Sequence, residues 1–86
     1  MEDFKELIRL KNSYLKEKQF NIKGEIYKAY QKVHNRLDIR AAKETFTYKD
    51  YEVITAWEVY YNGKKVGYML DYFTKAKKIR SVGVKI

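Results

Sequence analysis

Glu52-Val53-Ile54-Thr55-Ala56-Trp57-Glu58-Val59-Tyr60-Tyr61, then Asn62-Gly63, then Lys64-Lys65-Val66-Gly67-Tyr68-Met69-Leu70-Asp71-Tyr72-Phe73: this stretch decides the fold. β-Branched and aromatic side chains alternate through both halves, as in strands with one buried face. Asn62-Gly63 fits a two-residue type I′ turn, whose two central positions both need positive φ. A turn of that length sets the register, with Val59 opposite Val66, Trp57 opposite Tyr68, Thr55 opposite Leu70 and Val53 opposite Tyr72. That face is expected to be the core. The other face then carries Ile54, Ala56, Glu58, Tyr60, Lys65, Gly67, Met69, Asp71 and Phe73, half apolar and half charged.

Outward from the hairpin the pattern changes once, near residues 43–46. Thr45-Phe46-Thr47-Tyr48 is a short candidate strand, turning at Lys49-Asp50, and Val82, Val84 and Ile86 alternate in a last strand over about 79–86. Upstream the apolar spacing is helical. Phe4, Leu7, Ile8, Leu10, Tyr14 and Leu15 share one arc at about 100° per residue, which predicts a helix over about 2–18. Glu2 and Asp3 suit its first turn, and Lys16 and Lys18 its last, opposing the carboxyl-end dipole. Lys11 and Lys18 fall inside the apolar arc, where lysine stems cover apolar surface and the ammonium groups reach water, the sharper alternative being a site for an acidic ligand.

Asn21 is a candidate N-cap for a second helix over about 22–36, whose face is Ile22, Ile26, Ala29, Tyr30, Val33 and Leu37. Asp38 would cap a further short turn through Ile39-Arg40-Ala41-Ala42, unless the helix simply continues. The sum is an α+β, two-layer domain spanning 1–86. Two N-terminal helices pack on one face of a three- to four-stranded antiparallel β-meander, ααβββ(β), with strands 45–48, 52–61, 64–73 and 79–86.

Composition narrows the chemistry. With no cysteine among 86 residues there is no disulfide and no thiolate ligand or nucleophile, which points to an intracellular, cytoplasmic setting. No apolar run approaches the roughly 18 residues of a membrane span, and Met1-Glu2-Asp3-Phe4-Lys5 does not begin like a signal peptide. Glycine stands only at 24, 63, 67 and 83, so neither a dinucleotide fingerprint nor a phosphate loop can be assembled. His34 is the single histidine, on the flank of the second helix without a polarising partner. Glu52 and Asp71, expected diagonally opposite at roughly 7–8 Å, are the nearest thing to a carboxylate pair. No catalytic, cofactor-binding or metal-binding residue is therefore assigned, and an enzyme is not expected.

Nineteen basic against eleven acidic residues give a net charge of +8, fifteen of the cations being lysine and four arginine. That excess attracts polyanions. Lysine-rich surfaces suit phosphate contacts better than base reading, which favours the arginine fork. The expected contact residues are Tyr60, Lys64, Lys65, Met69, Phe73, Lys75, Lys77, Lys78 and Arg80: aromatics for stacking between two lysine clusters. Lys28, Lys32 and Arg36 form a second basic face on the second helix.

The order of elements matches neither the RNA-recognition β-α-β-β-α-β unit nor a double-stranded-RNA domain. In composition the chain resembles small proteins encoded by phages and mobile elements. Two functions are expected from this. One is a nucleic-acid-binding, replication or transcription accessory protein holding phosphates through the hairpin lysines. The alternative is a protein-binding modulator or inhibitor of a nucleic-acid-processing enzyme, such as a CRISPR nuclease, docked through the mixed sheet face. That face is also where a homodimer would form.

Overall fold

The computed structural model describes residues 1–86 as α1 (Glu2–Lys16), α2 (Phe20–His34), β1 (Asp38–Ala41), β2 (Glu52–Tyr61), β3 (Lys64–Phe73) and β4 (Ile79–Lys85). The strands form one antiparallel sheet in chain order, β1-β2-β3-β4, and the helices pack against it in the α+β arrangement. No helix is long and apolar enough to cross a membrane. The core joins Phe4, Leu7 and Leu10 of α1, Val33 of α2, Leu37, Val59 of β2 and Met69 of β3. Leu7 and Val59 are completely buried, and burying each such side chain stabilises the fold by about 1.5–3 kcal/mol.

α1 is two residues shorter than the periodicity predicts, and α2 has the expected length but begins and ends two residues earlier. α1 stops at Lys16 because Glu17 is extended, and its carboxylate accepts the N–H groups of Lys18 and Gln19, both at 3.0 Å. α2 begins at Phe20 with Gln19 as N-cap, so Asn21 lies inside the helix and makes no side-chain cap bond.

Two segments exchange roles. Asp38–Ala41 is a strand rather than a helical turn, pairing Ile39 with Val59 and Arg40 with Glu58. Ile39 thereby packs against the core and the ladder bonds of β2 outweigh the local capping signal of Asp38. Thr45–Tyr48 is not a strand; its alternating aromatics meet the sheet from above instead of along an edge. The Phe46 ring lies 4.6 Å from that of Tyr68, and Tyr48 and Tyr51 lie 5.1 and 5.0 Å from Tyr72. Tyr48 and Tyr51 bridge around a turn with Lys49 at φ 52°.

The turn at Asn62-Gly63 forms as expected, with φ 50° and 79°. Tyr61 pairs with Lys64 and Tyr60 with Lys65, but beyond them a β-bulge leaves Val66 without a partner before the next pair, Val59 with Gly67. Trp57 then faces Met69 rather than Tyr68, and Ala56 faces Leu70. A second bulge, at Ile54, restores the expected pairing of Val53 with Tyr72. The slip sets Gly67 where both β4 and α1 approach the strand most closely. A Cβ on Gly67 would sit 3.0 Å from the Phe4 ring and 2.4 Å from the Val84 carbonyl oxygen, so only glycine can lie beneath Phe4. Because a one-residue slip exchanges faces, Met69 and Asp71 turn toward the helices while Tyr68, Leu70 and Tyr72 turn away. Met69, expected as a surface contact, is 2% exposed.

Candidate functional site

The expected contact residues divide into two groups at opposite ends of β3, a ten-residue strand spanning roughly 30 Å at about 3.3 Å per residue. Met69 belongs to neither, being core. Phe73 is half-buried on the helix side and lines a shallow hollow with Lys75 and Lys77, so it does not stack with Tyr60.

At the turn end, Tyr60 and Lys65 share the outer face with Glu58, Tyr68 and Arg40. The Tyr60 hydroxyl donates to Glu58 at 3.1 Å, and Lys65 Nζ donates to the other Glu58 oxygen at 3.2 Å and to the Tyr68 hydroxyl at 3.3 Å. The Arg40 guanidinium stands 4.5 Å over the Tyr60 ring. The Lys65 ammonium, donating first to Tyr68 and then to Glu58, has its pKa pushed up, while Lys65 holds the Glu58 carboxyl below its ordinary value. Glu58 thus neutralises Lys65 from within, and Arg40 already occupies the face on which a base would stack. Lys64 is exposed beside the turn.

Ala56 and Leu70, on the same outer face, are buried at 9% and 1% exposure, with Phe46, Tyr48 and Tyr51 lying across neighbouring Tyr68 and Tyr72. Burial raises the Tyr72 pKa, helped by the neighbouring Tyr48 and Tyr51. Much of the face whose cover the sequence leaves open is therefore covered by residues 42–51 of the chain itself.

The β3–β4 turn holds the second group. Lys75 pairs with Asp50 at 3.5 Å, and Lys77, at φ 64°, shares its hollow with Asp50 and Glu52. Lys78 and Arg80 lie on the other side. With Lys16 and Lys18, from the end of α1, they line a cleft of about 310 Å³ whose walls include Leu15, Glu17 and Ile79. The Glu17 carboxylate is already held by backbone N–H groups.

Seven of the eleven carboxylates are ion-paired: Glu6 with Arg9, Asp71 with Lys11, Glu25 with Lys28, Asp3 with Arg36, Asp38 with Arg40, Glu58 with Lys65 and Asp50 with Lys75. Lys16, Lys18, Lys78 and Arg80 are in none of these pairs. Their convergence is what the sequence conceals, since Lys16 and Lys18 stand about sixty residues from Lys78 and Arg80.

Asp71 does not lie on the outer face. It accepts from Ser81 Oγ at 2.5 Å, Lys11 Nζ at 2.8 Å and Trp57 Nε1 at 3.4 Å beneath α1, a polar knot that ties helix to sheet and uses Lys11 internally. Burial raises the pKa of Tyr30 above it, and the Asp71 charge adds to the effect. His34 packs its ring 5.6 Å from Tyr30. No three His, Asp or Glu side chains converge as metal ligands do. No protein-family model, curated protein or solved structure matches this chain.

Proposed function

We propose that the chain binds nucleic acid through the phosphate backbone, with Lys16, Lys18, Lys78 and Arg80 as the contacts, in the manner of a replication or transcription accessory protein. One observation carries this reading: four cations from two chain segments distant in sequence line one cleft, and none has a carboxylate partner. Each phosphate neutralised releases condensed counterions and steepens the salt dependence by roughly 0.9 in log–log slope on duplex DNA. Four contacts amount to a slope near −3.6, or roughly a hundredfold loss of affinity between about 50 and 200 mM salt. With three lysines and one arginine the cleft holds backbone and reads little sequence.

Fluorescence anisotropy with labelled duplex and single-stranded oligonucleotides tests this. Replacing the four cations by alanine should flatten the salt slope, whereas Lys32→Ala on α2 should leave it unchanged. Absence of binding at about 50 mM salt, or equal loss from Lys32→Ala, defeats the proposal. The alternative, docking of a nucleic-acid-processing enzyme on the outer sheet face, keeps mainly the Tyr60 end of that face, because residues 42–51 lie over the rest.

A further inference from the structure

β4 pairs with β3 on one side and with no strand on the other. In an antiparallel ladder alternate residues direct their N–H and C=O groups to the neighbour. The Ile86 N–H reaches the Val66 carbonyl, whereas the Ser81 N–H reaches Asn12 of α1. Hence Arg80, Val82 and Val84 bond to β3, while Ile79, Ser81, Gly83 and Lys85 face off the edge.

The first half of that edge is closed by side chains. The Arg80 guanidinium donates to the Ile79 carbonyl at 2.7 Å. The Asn12 carboxamide accepts the Ser81 N–H at 2.7 Å and donates to the Ser81 carbonyl at 2.8 Å, as a neighbouring strand would. Gly83 and Lys85 have no such closure. Beside them α1 overhangs the edge, and the cleft between, about 320 Å³, has a floor of Phe4, Ile8 and Gly83 and a rim of Lys5, Arg9 and Lys85. Lys5 and Lys85 have no ion-pair partner, and Arg9 shares Glu6 alone.

We propose that this open half of the β4 edge takes an extended acidic peptide segment of a partner protein, which adds a short fifth strand and sets its carboxylates against Lys5, Arg9 and Lys85. Strand addition needs donors and acceptors at strand spacing beside a pocket for alternate side chains, and Gly83, Lys85 and the apolar floor supply both. A second copy would bring the same cations against their twins. A nucleic acid backbone would answer the cations but leave the strand's N–H and C=O groups largely unmatched.

The probe is a blocked peptide alternating Glu and Val, with its Lys-for-Glu counterpart, followed by NMR and amide hydrogen exchange on the full chain. The Glu peptide should bind and protect the Gly83 and Lys85 amides. Lys85→Pro removes an outward N–H and no bond to β3; it should weaken binding about tenfold, the equivalent of about 1.4 kcal/mol. Lys5→Glu with Arg9→Glu should abolish binding of the Glu peptide and admit the Lys peptide, which keeps the test open should the proline variant unfold. The proposal is overturned by no binding of the Glu peptide, by equal binding of both peptides, or by a folded Lys85→Pro that binds undiminished. It is also overturned if sedimentation shows a second copy closing this edge, or if an oligonucleotide and not the peptide protects those two amides.

Discussion

Removing the Asp71 carboxylate should cost the fold more than any other single polar truncation. In Asp71→Ala, Ser81 Oγ loses an acceptor at 2.5 Å and Lys11 Nζ one at 2.8 Å, while the 3.4 Å contact from Trp57 contributes little. Ser81 is 4% exposed and the Lys11 side chain 19%, so neither recovers full hydration. Hydrogen bonds to a charged group contribute about 1.5–3 kcal/mol each. The long Lys11 stem lets its ammonium move partway to water, which favours the low end and a total near 3 kcal/mol. A chain of 86 residues has roughly 4–13 kcal/mol of stability in all. The loss should therefore lower the melting temperature by about 12–24 °C, at about 4–8 °C per kcal/mol for a domain this size. Urea unfolding followed by far-UV circular dichroism measures it, with Lys11→Met and the double variant completing a cycle. Lys11→Met alone strands Asp71, so the double variant should cost at least about 1 kcal/mol less than the sum of the singles. A single-variant loss below about 1 kcal/mol, or strict additivity, would refute the view of Asp71 as the knot that holds α1 to the sheet.

Gly67→Ala drives a methyl into the Val84 carbonyl oxygen and the Phe4 ring and should destabilise by about 1–3 kcal/mol; Gly83→Ala meets only side-chain atoms of Ile8 and Phe4 at 3.1 Å and should cost less in the same urea titration. Lys77 sits at φ 64°, where relief of about 1–2 kcal/mol of left-handed strain offsets the roughly 0.5–1 kcal/mol entropic cost of glycine. Lys77→Gly should therefore raise the unfolding midpoint, and because Lys77 faces Asp50 and Glu52 rather than the cleft, it should leave the salt slope of oligonucleotide binding unchanged. In an ultraviolet titration, Tyr30 and Tyr72 should ionise above the ordinary tyrosine pKa near 10, and Tyr30→Phe with Tyr72→Phe should remove that late phase. Folding favours their protonated forms, so the stability tied to them is complete below the ordinary tyrosine pKa near 10 and is lost as pH rises through their raised values.

What could be read from the residues was what local chemistry decides. Asn62-Gly63 announces its turn because few other pairs accept two positive φ values, and Phe4, Leu7 and Leu10 mark the buried stripe of α1 by spacing alone. What could not be read depends on contacts between distant segments. Nothing local distinguishes Asp38-Ile39-Arg40 as an edge strand, since its reason to extend is the ladder offered by β2. The displaced register puts glycine beneath Phe4, more than sixty residues away in sequence, and beside the Val84 carbonyl of β4. The cleft shows the same division: Lys78 and Arg80 were expected contacts, but only the folded chain brings Lys16 and Lys18 beside them.

The paired bulges at Val66-Gly67 and Ile54 carry a consequence for how the chain folds. They cancel, so the hairpin has the same register at its tip and its far end, while the window between is displaced by one residue. A hairpin that zips from Asn62-Gly63 without a bulge pairs Trp57 with Tyr68 and offers tyrosine to the helix side, a near-degenerate competitor that local pairing does not reject. Docking of α1, with β4 alongside, rejects it, because Val66 would then stand opposite Val59 where Phe4 and the Val84 carbonyl leave room only for glycine. The first helix is in this sense a proofreader: it selects one of two strand alignments, and the contents of both sheet faces follow from that choice.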